Sequence, residues 1–223
     1  MVSEEKHNPY IALDVLGLYS GICCHVRKKI FQSFMDMSQP TVQTTILDVG
    51  ATSDRRRDSN FFEKLYPYPH RITAIGTEDA FFLEQEFPGL TYLKTDGSEI
   101  PFPDKSFDLV VSFATIEHVG SRANQRRFIS ELCRLGSAVC ISTPNRWYPI
   151  EFHTVLPLVH WLPLSWFHAV CRWLGKEFLA REENLNLLTE RETLRLFPAG
   201  KDVSVKYIRL LGLVSNLVFY AKV

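Results

Sequence analysis

Two acid–imidazole neighbours in the 223-residue sequence can do proton chemistry: Glu117-His118, just past an apolar run, and Glu151-Phe152-His153. Histidine titrates near working pH, and a carboxylate beside it can orient the ring. His118 and His153 are therefore the catalytic candidates, with Glu117 and Glu151 as their partners. The plainer reading of Glu117-His118 is a pocket wall or the start of a helix. A second set pairs acids with glycines: Asp48-Val-Gly50, Gly76-Thr-Glu78-Asp79 and Asp96-Gly97. A carboxylate such as Glu78 can accept two hydrogen bonds from a ribose diol. Its bland alternative is an acid favoured by a helix dipole, and Asp48 or Asp96-Gly97 could equally be turn residues.

The elements that must position these groups follow from hydrophobic pattern. The run Phe107-Asp-Leu-Val-Val-Ser-Phe113 is short, β-branched and entered from a Pro/Asp/Ser turn, as expected of a strand buried on both faces. Further strands are expected at residues 44–49, 71–76, 90–94 and 138–142, with intervening helices from Asn60, after Asp79, and over residues 122–135. Asn60 and Glu63 have the spacing of a capping box, as do Thr189 and Glu192. Gly136 is expected to end its helix as a C-cap. Strands alternating with helices at this spacing indicate a parallel sheet, and in such sheets ligands lie outside the carboxyl ends of the strands. Residues 203–210 and 213–221 are separated only by Leu211-Gly212, too short a link for a parallel crossover, so they should pair antiparallel. Residues 1–40 read as a helical N-terminal extension.

Lys plus Arg equals Asp plus Glu, at 25 each, so no global field draws the chain to nucleic acid. Arg55-Arg56-Arg57 reads as a solvated loop. Five cysteines without a CxxC pattern argue against a disulfide framework or zinc site. The polar N-terminus lacks a signal-peptide pattern, and no apolar stretch is long enough for a spanning helix. These features together point to a cytoplasmic protein. The first loop, Asp48-Val-Gly50-Ala-Thr-Ser-Asp54, lacks GxGxxG, which disfavours a dinucleotide and favours a ligand with adenosine but no phosphate.

ILDVG at 46–50, AIGTED at 74–79, TDGSEIPFPDKSFDLVVSFATIEHV at 95–119 and STPNR at 142–146 together resemble a class I S-adenosylmethionine-dependent methyltransferase of the type 11 small-molecule group. The resemblance covers roughly residues 44–146. It implies an α/β, Rossmann-like, doubly wound and mostly parallel seven-stranded sheet of order 3-2-1-4-5-7-6, with strand 7 antiparallel. One domain over residues 1–223 is expected. Residue by residue, it implies that Asp48, Gly50 and Ala51 shape the loop around the methionine part of S-adenosylmethionine. Glu78, with Asp79 as second candidate, would hold the ribose. Asp96 and Gly97 would meet the adenine, and Ser112 and Phe113 would offer backbone to the methionine amino group. The chain departs from the family's glycine-rich loop at Ala51, Thr52 and Ser53.

All four tryptophans fall between residues 147 and 173. Residues 147–188 lie where this family builds its substrate cover, so the insertion reads as an aromatic helical lid, with Asn145, Trp147 and Trp161, as well as Glu117 and Glu151, facing the acceptor. A packed or homodimer face is the other reading of the segment. The expected activity is methyl transfer to a small-molecule or lipid-like acceptor, at oxygen in preference to nitrogen or carbon, with peripheral membrane contact for a lipid-linked substrate. A protein that keeps the fold and binds ligand without transfer, pericyclase-like or regulatory, is the alternative. No metal is expected, because Ala114 stands where related sites have an acid.

Overall fold

The computed structural model describes residues 18–95 and 100–223. Asp96 and Gly97, and residues 1–17 of the N-terminal extension, lie outside the described residues. Seven strands make one sheet: β1 (Ile46–Val49), β2 (Ile72–Gly76), β3 (Thr91–Lys94), β4 (Phe107–Phe113), β5 (Gly136–Pro144), β6 (Val203–Leu210) and β7 (Leu213–Lys222). Their spatial order is β3-β2-β1-β4-β5-β7-β6. The pairings among β1 to β5 are all parallel, and β7 runs antiparallel to both β5 and β6. The expected topology and the closing hairpin are therefore both present. The hairpin turns through Leu211 and Gly212, both at positive φ, the conformation a two-residue link requires.

Alternation along each strand divides the core into two layers. Ile46, Ala74, Leu109, Val111 and Cys140 face one layer with α1 (Leu18–Ser38), α2 (Phe61–Leu65) and α3 (Phe82–Glu86). Leu47, Ile75, Val110, Val139 and Ile141 face the other with α4 (Arg122–Leu135), while Leu194, Leu196 and Phe197, at and just past the end of α6 (Glu190–Leu194), join them. Helix α1 inserts Val26, Ile30 and Phe34, spaced four apart and hence on one face. Ser121 caps α4 by accepting from Asn124 N–H, and Thr189 with Glu192 forms a complete capping box on α6.

Two local expectations need correction. Asn60 does not cap α2: it sits at positive φ without a capping bond. Gly136 ends α4 with φ −112°, extended and not left-handed. A Cβ there would come within 2.7 Å of both the Ala138 carbonyl and Val110, so close approach explains this glycine.

Between β5 and α6 the chain leaves the sheet. Ile150–Glu151 pairs with Leu156–Pro157 in a short antiparallel ribbon, and α5 (Leu164–Trp173) follows. The helix buries Phe167 and Cys171 against Leu179, Ala180, Leu185 and Leu187, a small core of its own. Cys23, Cys24, Cys133, Cys140 and Cys171 are free thiols. Among the described residues, no helix is long and apolar enough to cross a membrane.

Candidate active site

At the carboxyl end of β1, Gly50 adopts φ +120° and, with Ala51, donates its N–H to the Ile75 carbonyl at 2.9 and 3.0 Å. This draws the first loop against the end of β2. Gly76 makes the approach feasible, since a Cβ there would stand 2.0 Å from the Ala51 carbonyl oxygen. The loop lacks further glycines but is stitched from both sides. Asn60 turns its amide back, accepting from Thr52 N–H at 3.0 Å and donating to the carbonyls of Thr52 and Asp54 at 2.8 and 3.2 Å. That use of the side chain is why Asn60 cannot cap α2. From the other side, Glu78 Oε2 accepts from the Thr52 hydroxyl at 2.9 Å, the Ser53 N–H at 2.8 Å and the Ser53 hydroxyl. Oε1 of Glu78 makes none of these bonds. Burial pushes the Glu78 carboxyl up, but the hydrogen bonds from Ser53 and Thr52 outweigh it and the net shift is downward.

The other proposed cofactor residues have diverse surroundings. Asp48 lies on the sheet face covered by α2, buried beside Glu63; burial and that second carboxyl push its pKa well up. Its side chain thus sits beneath the loop. Asp79 is exposed and accepts from Phe81 N–H at 3.5 Å. Ser112 is buried and donates its hydroxyl to the Val49 carbonyl at 2.7 Å, joining the ends of β4 and β1. Phe113 turns its ring into a cluster with Phe34, Phe61 and Phe62, centroids 5.4–6.0 Å apart.

The two acid–imidazole pairs, whose histidines are 35 positions apart in sequence, meet in space. The rings of His118 and His153 stand edge to face with centroids 4.8 Å apart. His118 reaches this point on a 3-10 turn after β4, and His153 on the turn of the ribbon. His153 Nδ1 lies 2.6 Å from Glu151 Oε1, which also accepts His153 N–H at 2.8 Å, while Glu151 Oε2 accepts Thr154 N–H at 2.6 Å. Burial would raise the Glu151 pKa, yet His153 and these donors hold it down at about 2. Burial would likewise lower His153, but Glu151 and Glu117 reverse this and the net shift is upward. His118 Nδ1 lies 2.7 Å from the Asn184 carbonyl. A carbonyl only accepts, so the proton sits on Nδ1. Burial, with His153 adding to it, lowers His118 to about 3 and keeps it neutral. Glu117 is fully buried, accepts from the Thr143 hydroxyl at 3.1 Å through Oε2, and leaves Oε1 without a partner; burial raises it to about 7.

Glu117, His118 and His153 each offer a donor atom, all within 4.8 Å of one another. One carboxylate and two imidazoles form a donor set suited to a borderline divalent ion. This convergence arises without an acid at position 114, because the ribbon brings His153.

The expected acceptor contacts divide. Glu117 and Glu151 are inside the cluster. Asn145 anchors the insertion, donating from its backbone to Ser215 and from its amide to Val214, at 2.8 and 2.9 Å. Trp147 and Trp161 are exposed, with rings 6.2 Å apart on the outer surface. The ribbon turns Glu151 and His153 inward, while Trp147 and Trp161, on either side of it, face out. The buried Tyr148 and the half-buried Phe152 stack at 5.6 Å. Tyr19 of α1 donates to the Phe152 carbonyl at 3.2 Å, and Arg27 one helical face further on pairs with buried Asp58 at 3.2 Å. Tyr19, Thr143 and Asn184 were not singled out from sequence. Tyr19 and Asn184 sit in helix and loop contexts that carry no motif, and Thr143, although within STPNR, had no role of its own assigned. A separate cavity of about 500 Å³, lined by Ile100–Pro103, Glu131 and Arg134, lies near the amino ends of β4 and β5, at the opposite edge of the sheet.

Comparison with known proteins gives a consistent picture. Residues 58–137 match a family described as a methyltransferase domain. Over 64 residues the chain is 33% identical to a probable S-adenosylmethionine-dependent methyltransferase of Mycobacterium tuberculosis (strain CDC 1551 / Oshkosh), covering 29% of this chain and 23% of that protein. It is 44% identical over 52 residues to a similarly described protein of Mycolicibacterium smegmatis, covering 22% of this chain and 19% of the relative. The chain thus matches less than a quarter of the length of these curated relatives. A crystal structure of an S-adenosylmethionine-dependent methyltransferase from Aquifex aeolicus superposes with TM-score 0.51 at 16% identity, covering 97% of this chain and 98% of that one. A Burkholderia thailandensis 1,6-didemethyltoxoflavin N1-methyltransferase, with its acceptor and S-adenosylhomocysteine bound, superposes with TM-score 0.57 at 15% identity, covering 89% and 78%. At such identities the likeness is one of fold.

Proposed function

We propose that the chain is a class I S-adenosylmethionine-dependent methyltransferase, the reading its fold and the match of residues 58–137 support, and that it methylates a small-molecule or lipid-like acceptor at a hydroxyl oxygen. The observation that carries this reading is the buried Glu151–His153 pair, 2.6 Å apart, beside a histidine held neutral. Bound S-adenosylmethionine supplies an activated methyl group on a sulfonium. The chain's part is alignment and proton management. Glu151 fixes the His153 ring through Nδ1, which leaves Nε2 to take the acceptor's hydroxyl proton as the O–CH3 bond forms and the S–CH3 bond breaks. The negative Glu151 stabilises the imidazolium that results. Neutral His118, bonded through Nδ1 to the Asn184 carbonyl, stands edge to face against His153 and helps fix that ring. On the cofactor side, Glu78 would hold the ribose hydroxyls and Gly50 and Ala51 would let the methionine part approach; Asp96 and Gly97, which the resemblance assigns to the adenine, lie outside the described residues.

A second reading, ligand binding without transfer, draws support from the stitched loop, because Glu78 Oε2 is already occupied by Thr52 and Ser53. Titration calorimetry with S-adenosylmethionine on wild type and Glu78→Ala, followed by labelled-methyl transfer to fractionated cell extract, tests both. Heat in the wild type and label in a small-molecule or lipid fraction are expected. Absence of heat in the wild type would defeat the proposal, and heat without label would favour the second reading.

A further inference from the structure

All four tryptophans of this chain are on the outside: Trp147 is 55% exposed, Trp161 41%, Trp166 66% and Trp173 84%. Tryptophan is among the most buried side chains on average, so one such residue is unremarkable and four in one segment are not. Helix α5 shows how the arrangement is built. Phe167 and Cys171 point inward, whereas Trp166, Ala169 and Trp173, spaced by three and four, form a second, outward apolar stripe. The ribbon before it adds Ile150, Val155, Leu158 and Leu162, all exposed. Val155 and Leu158 hold positive φ, a costly conformation for such residues, at the positions where their side chains reach solvent.

The charge around this face is one-sided. From Phe152 to Lys176 the sequence contains no Asp or Glu, and its formal charges are Arg172 and Lys176. Arg172 is exposed and adjacent to Trp173. Glu151, at the edge of the segment, is buried and paired with His153. The nearest acid beyond this window is Glu177, next to Lys176, and Glu182 acts on His168 of α5. Exposed tryptophans, aliphatic tips and the exposed Arg172 on a helix that cannot span a bilayer match the chemistry of a lipid interface. There the apolar bodies enter the acyl boundary and the indole N–H and guanidinium stay with the headgroups.

We propose that the outer face of residues 147–176 docks on an anionic lipid bilayer, with α5 lying in the plane of the interface. The docked segment is the one that carries His153 on its inner side, so the membrane and the candidate active site share one element. The inference does not depend on methyl transfer.

Co-sedimentation with phosphatidylcholine vesicles, with and without about one third phosphatidylglycerol, tests it. Wild type is expected to partition to both and more strongly to the anionic ones at low salt. W166S/W173S should weaken partitioning at least about tenfold. R172E should weaken it at least about fivefold on anionic vesicles alone. Circular dichroism and cofactor heat should stay at wild-type values in both variants, which keeps this result separate from the enzymatic one. Should W166S/W173S misfold, quenching of wild-type tryptophan fluorescence by bromine-labelled lipid provides the readout. The proposal is overturned if wild type ignores anionic vesicles, if the variants bind as wild type does, or if bromolipid leaves the fluorescence unchanged. It is also overturned if light scattering shows a wild-type dimer that the double variant dissolves, which would make the face a contact between copies.

Discussion

The two sides of the candidate site are held in different ways. On the cofactor side, backbone and short polar side chains do the holding: Gly50 and Ala51 bond to Ile75, and Asn60 and Glu78 stitch residues 52–54. On the acceptor side a charge cluster of buried Glu151 and Glu117 with half-buried His153 is brought together by an excursion that has left the sheet. The first arrangement is set by strand ends and tolerates little change in shape. The second is set by electrostatics, and its strength should follow pH. Geometry governs one half and protonation the other.

The largest expected effect lies on the acceptor side. His153→Gln should lower kcat by about 10²–10⁴-fold while calorimetric affinity for S-adenosylmethionine stays at the wild-type value; a parallel fall in both would erase the distinction between the two halves. Next, Gly76→Ala puts a methyl 2.0 Å from a backbone oxygen and should cost about 3 kcal/mol of stability by chemical denaturation. A near-neutral result would mean that the first loop is not held by shape. Glu78→Ala should weaken cofactor binding about thirtyfold, equivalent to about 2 kcal/mol, with the rate at saturation little changed.

The pH profile gives the smallest and most specific contrast. His153 is raised above its ordinary 6.5, so its stabilising pair is complete below 6.5 and fades as pH climbs through the folded value. Glu117 is raised from 4.5 to about 7, so its ionisation increasingly opposes folding across that interval. Both lower stability from mildly acidic to alkaline pH. Glu151, lowered to about 2, is stabilising above 4.5 and loses this only in strong acid. Thermal melts between pH 5 and 9 should therefore fall, and Glu117→Gln should flatten the fall. Transfer rate should move the opposite way, rising as His153 loses its proton. Dialysis against a chelator should leave the rate unaltered on the acid–base reading, and a loss restored by a divalent ion would reassign Glu117, His118 and His153 as ligands.

The fold was legible because its signals are periodic and redundant. Phe107–Phe113 reads as a doubly buried strand from composition alone, and the Leu211-Gly212 link leaves one pairing geometry for the hairpin. The Glu151–His153 pair was legible because two positions on a tight turn can hardly avoid each other. Asn60 was misread because a capping box and a backward-reaching amide share the same local sequence, and only the distant partner, the 52–54 loop, decides between them. The outward exposure of the tryptophans was not legible, because periodicity over a two-residue ribbon and a three-residue turn is too short to fix a face. Asn184 and Tyr19 contribute one carbonyl and one hydroxyl, groups no motif marks.

Asn145 has a broader consequence. It is bonded to β7 through backbone and side chain, and the next residue's N–H reaches the Leu188 carbonyl at 3.2 Å, so the exit and re-entry points of the excursion are clipped side by side. With its ends fixed together, lengthening or replacing what lies between adds little chain-closure entropy. Loop lengths between residues 147 and 187 can thus change without rebuilding the sheet, provided that Glu151, His153 and the Asn184 carbonyl are kept.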